Sequence, residues 1–316
     1  MKGPQAAGDA PGSGYMAAVR FTGPDGEPAS LLVRSEPGLP HPEWQLQRRL
    51  ESIGVAGSQV VELYTELEPC ALPGGYCAAL ILRSWPRVKV THSIDFRGDW
   101  PTRLHSLEEL AEHARQSGAR TPAQDGGGTA ADAASPTRPA PDLQLGGSAA
   151  LEEVKLALVE AFGAGGVRTF TEEDPAYVSV SSASRQVLAT VGVPVVFPPF
   201  FRLDAVDQPV RDDVRHAGIG SDFGRRICID KVTDEVTAVG STQGDIVFVN
   251  SDVLSFVRAL TALRRTWTAR RGLAPAAADV VTGQLEAFLT DCDPRSVAGP
   301  ETWWSTIVQQ MRYGLL

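Results

Sequence analysis

Cysteine is scarce in this chain: Cys70, Cys77, Cys228 and Cys292 are the only four among 316 residues. A secreted domain held by disulfides is shorter and richer in cysteine, so that class is set aside and reduced thiols in a cytoplasmic protein are expected. Long apolar runs are missing too. No stretch approaches the length that crosses a bilayer, and no membrane partner is expected. The opening MKGPQAAGDAPGSGY has one Lys and no apolar core, unlike a secretory leader, and reads as a disordered tail. Positive charge is in deficit, with 29 Lys and Arg against 38 Asp and Glu and a net charge of −9. Phosphate neutralisation needs clustered cations, so a surface that coats nucleic acid is excluded. A local basic groove on an acidic protein stays compatible with a nucleic-acid substrate. No internal repeat is present, and no delivery domain is visible, so a resident protein is expected in preference to a secreted effector.

One composition shift divides the chain. The stretch SGARTPAQDGGGTAADAASPTRPAPDLQLGGS is Gly, Ala, Pro, Ser and Thr with few apolar anchors, and it cannot bury enough surface to offset its ordering entropy. The expected organisation is a disordered tail over 1–15, a first domain over 16–116, a flexible linker over 117–149 and a second domain over 150–316. The first domain reads as a hairpin around PDGE, an amphipathic helix WQLQRRLESIG, a strand QVVELYTEL, a helix YCAALILRSW, a strand VKVTHSIDF and a closing helix SLEELAEHARQSG. In that last helix Ser106 and Glu109 are expected to form a capping box. The order predicts an α/β domain with a mixed sheet covered by helices. The second domain opens with the helix SAALEEVKLALVEAFG and passes through VRTFTE, a helix near SASRQVLATVG and the Pro-rich VPVVFPPFFRLD. A predicted antiparallel meander over HAGIG…IVFVN follows, and two helices close the chain, giving an α+β class.

The chemistry-bearing residues lie in the first domain. His41-Pro42-Glu43 stands just before a helix, after the turn-forming Pro37-Gly38-Leu39-Pro40. Pro69-Cys70 follows a strand, and Cys77 comes after a six-residue insert, ALPGGY. The first cysteine is expected at a strand-to-helix junction, where free N–H groups favour a thiolate. One imidazole and two thiolates with an open fourth position make a catalytic zinc site. Such a metal lowers the pKa of water toward neutrality. Glu43 would not ligate; it would move protons between that water, a ring nitrogen and a departing amine. The pattern His-x-Glu followed by Pro-Cys-x-x-Cys is the signature of zinc-dependent base deaminases.

On His41-Pro42-Glu43, the segment YTELEPC, Cys77 and the strand VKVTHSIDF, residues 15 to 116 resemble the cytidine-deaminase superfamily, and more closely the nucleic-acid deaminases of bacterial polymorphic toxin systems. The resemblance implies zinc ligands His41, Cys70 and Cys77, a proton shuttle at Glu43, and hydrolytic deamination of a nucleobase, cytosine favoured. The chain departs from the family in its cysteine spacing, six residues in place of two; Pro73, Gly74 and Gly75 let the insert loop out and return Cys77. Trp44 and Trp85 can stack on a base or simply pack the core. His92 either lines the pocket or is a structural histidine, while His105, His113 and His216 read as surface residues. Cys228 reads as strand packing and Cys292 as incidental.

The second domain shows no nucleophile, metal cluster or phosphate loop. Gly218 to Gly224 is glycine-rich but lacks a P-loop Lys, and reads as a turn in which Asp222 either stabilises the turn or binds a ligand, the former preferred. On VLATVGVPVVFPPF, IGSDFGRRICID, GDIVFVNSDVLSFVRALTAL and WWSTIVQQMRYGLL, this half resembles the SUKH superfamily of immunity proteins, which bind toxin domains and are not enzymes. Asp204, Asp207, Asp212, Asp213, Asp230, Asp234 and Glu235 offer either an acidic face for a basic toxin or a solvated surface. The reading that joins the halves is a zinc deaminase acting on nucleic acid or a nucleotide, fused to a toxin-binding module. Its rival is a non-catalytic immunity protein that uses the deaminase fold as scaffold or decoy, against which an intact Glu43 stands. A housekeeping deaminase of free nucleosides does not account for the fused second domain. The second domain is expected to fold alone, with few contacts crossing the linker.

Overall fold

The structure, a computed structural model, describes residues 14–118, 151–203, 214–242 and 244–316. The first domain opens with the expected hairpin, β1 (Met16–Thr22) and β2 (Pro28–Arg34), in register from Met16 opposite Arg34 to Thr22 opposite Pro28. There follow α1 (Pro42–Ser52), β3 (Val60–Leu67), α2 (Cys77–Ser84), β4 (Lys89–Ile94) and α3 (Trp100–Gly118). The four strands lie in the order β2-β1-β3-β4, with β3 and β4 parallel. A parallel pair needs a crossover, and α2 supplies it. Alternation along the strands puts Ala17, Val19, Phe21 and Leu63 on one face, where Leu46 and Leu50 of α1 and Ile81 of α2 cover them. The mixed sheet covered by helices is as expected.

The start of α3 differs. Ser106 does not cap it; the helix begins six residues earlier, Asp99 accepts from the Thr102 N–H at 3.2 Å, and Ser106 donates to the Thr102 carbonyl one turn in. Pro101 is tolerated because the first turn has no helical partner for its missing N–H. A Ser-x-x-Glu spacing inside a helix imitates a start.

The second domain runs through α4 (Leu151–Phe162), β5 (Val167–Arg168), α5 (Pro175–Ser179), α6 (Ser182–Thr190), β6 (Val193–Pro194), β7 (Val196–Phe197) and β8 (Phe201–Arg202). The meander is β9 (His216–Ser221), β10 (Arg226–Asp230), β11 (Val236–Val239) and β12 (Ile246–Asn250). Strands β7 to β12 form one sheet in the order β12-β11-β10-β9-β8-β7, and every pair given for it is antiparallel. Helix α7 (Val253–Arg270) starts at the capping Asp252, which accepts from the Ser255 N–H. Where one further helix was expected there are two, α8 (Pro275–Cys292) and α9 (Trp303–Arg312), separated by a short turn of 3₁₀ helix opening at Pro294, which has no N–H to continue α8.

Three smaller expectations change. His216 is buried in β9 and not on the surface. Of the acidic residues, Asp230 is held by Arg215 and by the N–H groups of Val232 and Thr233, Asp234 accepts from Ser181 and Ser184, and Glu235 pairs with Arg295. These three are engaged within their own fold. Asp204, Asp207, Asp212 and Asp213 lie outside the described residues, as do 1–13 of the expected tail and most of the expected linker.

The expectation of few contacts between the halves is also overturned. Leu315 is buried with Cys70, Cys77, Trp44 and Leu80 of the first domain, whereas its neighbour Leu316 is buried with Phe200, Trp267 and Ile307 of the second. A long connection relaxes where two domains sit; it does not keep them apart. The chain's last residues are fixed by Arg270, buried near the end of α7, whose guanidinium donates to the carbonyls of Leu316 at 2.6 Å and Met311 at 2.7 Å. Burial pulls its pKa down to about 10, so it stays charged at neutral pH. Replacing it by Met keeps the bulk and removes both charge-assisted bonds. Arg270→Met is expected to lower stability by about 2–4 kcal/mol, read as an earlier urea midpoint; an unchanged midpoint would remove Arg270 from this role.

Candidate metal centre

Helix α1 begins where Pro42 takes its first position, so His41 is the N-cap, in an extended conformation. His41 makes no side-chain cap bond, and its ring turns instead toward two sulfurs. The Nδ1 atom lies 3.2 Å from Cys77 Sγ and 3.6 Å from Cys70 Sγ. Cys70 stands three residues beyond β3. The insert loops out as expected: the Gly75 and Tyr76 N–H groups both bond the Leu72 carbonyl, and the Ala78 N–H returns to the Cys70 carbonyl. The strand-to-helix junction falls on Cys77, the first residue of α2, and not on Cys70. Tyr76, its N-cap, is left-handed at φ 47°, a conformation that costs a non-glycine residue on the order of 1 kcal/mol.

The ligand atoms of His41, Cys70 and Cys77 all lie within 4.8 Å of one another. With Glu43 they are sealed from solvent, at 1%, 4%, 0% and 0% exposure for His41, Cys70, Cys77 and Glu43. Gly75 passes so close that a Cβ there would meet Cys70 Sγ at 2.4 Å and His41 Nδ1 at 3.0 Å. Only glycine fits against this cluster. Two soft thiols and one imidazole around a small gap suit zinc in both donor type and number, so the group can hold that metal.

The electrostatics follow from packing these groups together. Cys70 is held well below the usual thiol range, first by a hydrogen bond from Cys77 and then by the His41 charge. Cys77 is pushed well above it by burial and by its neighbour's negative charge. Burial, the largest single effect, would lower the His41 pKa, but Cys70, Glu43 and Gln310 together outweigh it and the net direction is up. Glu43 is raised, mainly by burial.

Glu43 sits in the first turn of α1, two residues past His41. Its Oε2 accepts from the Tyr15 hydroxyl at 2.6 Å and faces Cys77 Sγ at 3.4 Å, while Oε1 is buried with no partner among the described residues. Tyr15 also meets the His41 ring edge-on at 5.7 Å. Tyr15 is the last residue of the expected disordered tail. A lone aromatic one residue before a strand, among Gly, Pro and Ala, carries no periodic signal, and only the carboxylate it meets reveals its role.

The remaining candidates fall elsewhere. His92 is on β4, bonded to Asp95 at 2.9 Å, and lies with Glu68 and Asp95 in a second, largely exposed group where Arg97 already pairs with Glu68. Trp44 is core: it donates to the Gly75 carbonyl at 2.6 Å and stacks edge-on with Phe223. Trp85 packs against the sheet, His105 and His113 are exposed, Cys228 is buried in β10 and Cys292 ends α8. Asp222 does stabilise its turn, accepting from the Gly224 and Arg225 N–H groups, but its other oxygen accepts from Tyr76 of the first domain and from Trp303.

Compared with known proteins, residues 12–113 match the family model of the Xanthomonas-like deaminases, and residues 155–310 match that of the SUKH-4 immunity proteins. No curated protein and no solved structure matches the chain. The chain therefore consists of a deaminase-family domain, with a buried His-Cys-Cys group able to hold zinc, fused to a SUKH-4 immunity protein domain.

Proposed function

We propose that the first domain is a zinc-dependent hydrolase that removes the exocyclic amine of a nucleobase in nucleic acid, cytosine in preference, and that the fusion belongs to a bacterial toxin–immunity system. The observation that carries the reading is the buried His41, Cys70 and Cys77 trio with the Glu43 carboxylate beside it and one carboxylate oxygen unpartnered. Zinc held there supplies Lewis acidity that brings the pKa of water near 7. Glu43 has the place and the raised pKa of a general acid–base: it takes one proton from the water whose oxygen bonds to the amine-bearing carbon and delivers it to the ring nitrogen, then moves the second, from the new hydroxyl, to the amine. The carbon–nitrogen bond breaks, a carbonyl forms at that carbon, and ammonia leaves. Tyr15 holds Glu43 Oε2, which orients the other oxygen for the transfers. The preference for cytosine rests on the likeness to the cytidine-deaminase superfamily. The SUKH-4 domain supports a protein toxin as the partner of the second half.

Two outcomes test this. Purified protein should carry about one zinc per chain, and Cys70→Ala should lose most of it; metal analysis finding none in the parent, or full retention in the variant, removes the site. Glu43→Gln should keep zinc and thermal stability while cytosine conversion, read by sequencing nucleic acid from cells unable to excise uracil, falls by about 10²–10⁴-fold. Conversion at the parent's rate would remove Glu43 from the mechanism.

A further inference from the structure

We infer that the SUKH-4 domain is the resident occupant of its own chain's deaminase face and holds that site closed to a base. The inference takes from the preceding section only what is being closed. It stands on which residues meet across the joint: on the deaminase side they are the immediate neighbours of the site.

Three pieces of the second domain converge there. The first is the β9–β10 turn. Asp222 is fully buried, and its Oδ2 accepts from the Tyr76 hydroxyl at 2.9 Å and from the Trp303 indole at 2.8 Å. A buried carboxylate is stable only when its acceptors are filled, and one of these donors comes from the residue beside Cys77. Next to it Phe223, left-handed at φ 70°, stacks edge-on with Trp44 at 5.2 Å, beside Glu43.

The second piece is Gln310 on α9. Its amide donates to the carbonyl of Pro73, inside the cysteine insert, at 2.7 Å. Its Oε1 and the His41 Nε2 are both buried with no hydrogen-bond partner among the described residues. A ligand histidine ordinarily gives its second ring N–H to an oxygen. The Gln310 side chain, anchored on the cysteine insert, belongs to the other domain.

The third piece is the chain after α9, which places Leu315 in the same cluster as both cysteines. Around this centre runs a polar rim: Glu301 pairs with the buried Arg103 at 3.0 Å, and Arg271 donates to the Gly38 carbonyl. Buried polar clamps ringed by charged pairs are the anatomy of a specific interface. With the four site groups at most 4% exposed, a base reaches them only when the domains part. Because both sides are one chain, the occupant returns at an effective concentration on the order of millimolar.

The test uses the full chain. At Gly224 a Cβ would meet the Tyr76 ring at 2.1 Å, and the glycine backbone there is not left-handed. Gly224→Phe is therefore a wedge driven into the joint from outside the catalytic groups. Glu301→Arg, at an exposed rim position, repels Arg103 without touching either core and serves if the wedge misfolds. Two rates read closure directly: transfer of zinc to a chromogenic chelator, and alkylation of Cys70 and Cys77 mapped by mass spectrometry. Both should rise by about tenfold or more in the variants, as for a closed state whose open fraction grows by that factor. Cytosine conversion should rise in parallel and vanish when Glu43→Gln is added. Chelator and alkylation rates equal to the parent's in a folded Gly224→Phe or Glu301→Arg chain overturn the inference, as does a parent that already converts cytosine as fast as the variants. Faster chelation and alkylation with no conversion in any chain supports closure and counts against the deaminase reading instead.

Discussion

Two thiols, an imidazole and a carboxylate lie within hydrogen-bonding reach of one another in an apolar interior, and this one arrangement sets terms for much of the chain. Such groups cannot be left dry without partners. The sheet delivers them from separated stretches: Tyr15 just before β1, His41 and Glu43 at the start of α1, Cys70 past the end of β3, Cys77 at the start of α2. All but Cys70, which lies in the connecting loop, are held at or beside an element terminus, where unpaired backbone groups and sharp direction changes bring side chains to one point. The glycine at 75 follows from the same crowding, since the sulfur and ring leave no room for a Cβ.

The buried His41, Cys70 and Cys77 group was legible because metal chemistry restricts residue type. Histidine, glutamate and two cysteines in that order, on those boundaries, have few other uses, and the six-residue insert was readable as a loop from its Pro-Gly-Gly. The meander in the second domain was legible from its turn residues. What could not be read depends on contacts distant in sequence. Tyr15 gains its role only through a carboxylate on another element, and Asp222 looked complete as a turn residue because its second oxygen is satisfied from the other domain. The start of α3 was misplaced because local capping chemistry at Ser106 was as good as that at Asp99. His216 was taken for a surface residue because a single histidine carries no sign of which side of a strand is covered. Docking of the halves was missed because a linker's composition reports its own cohesion and nothing of its ends.

The SUKH-4 domain is thus more than an appended binder. Asp230, Asp234 and Glu235, once grouped as an acidic face, are tied up in their own turns and ion pairs, whereas the buried Asp222 points to the neighbouring domain. Among the described residues, the contacts across the joint satisfy individual buried atoms, as with Asp222 and Gln310.

Leu315 and Leu316 adjoin in sequence yet fill different interiors, one beside the cysteines and one beside Trp267. A shift of one residue at that point would exchange their hosts. The two domains therefore share a seam at which neither sequence can drift alone. A change in bulk at either leucine that suits the SUKH-4 domain is therefore met at once by the packing of the deaminase-family domain.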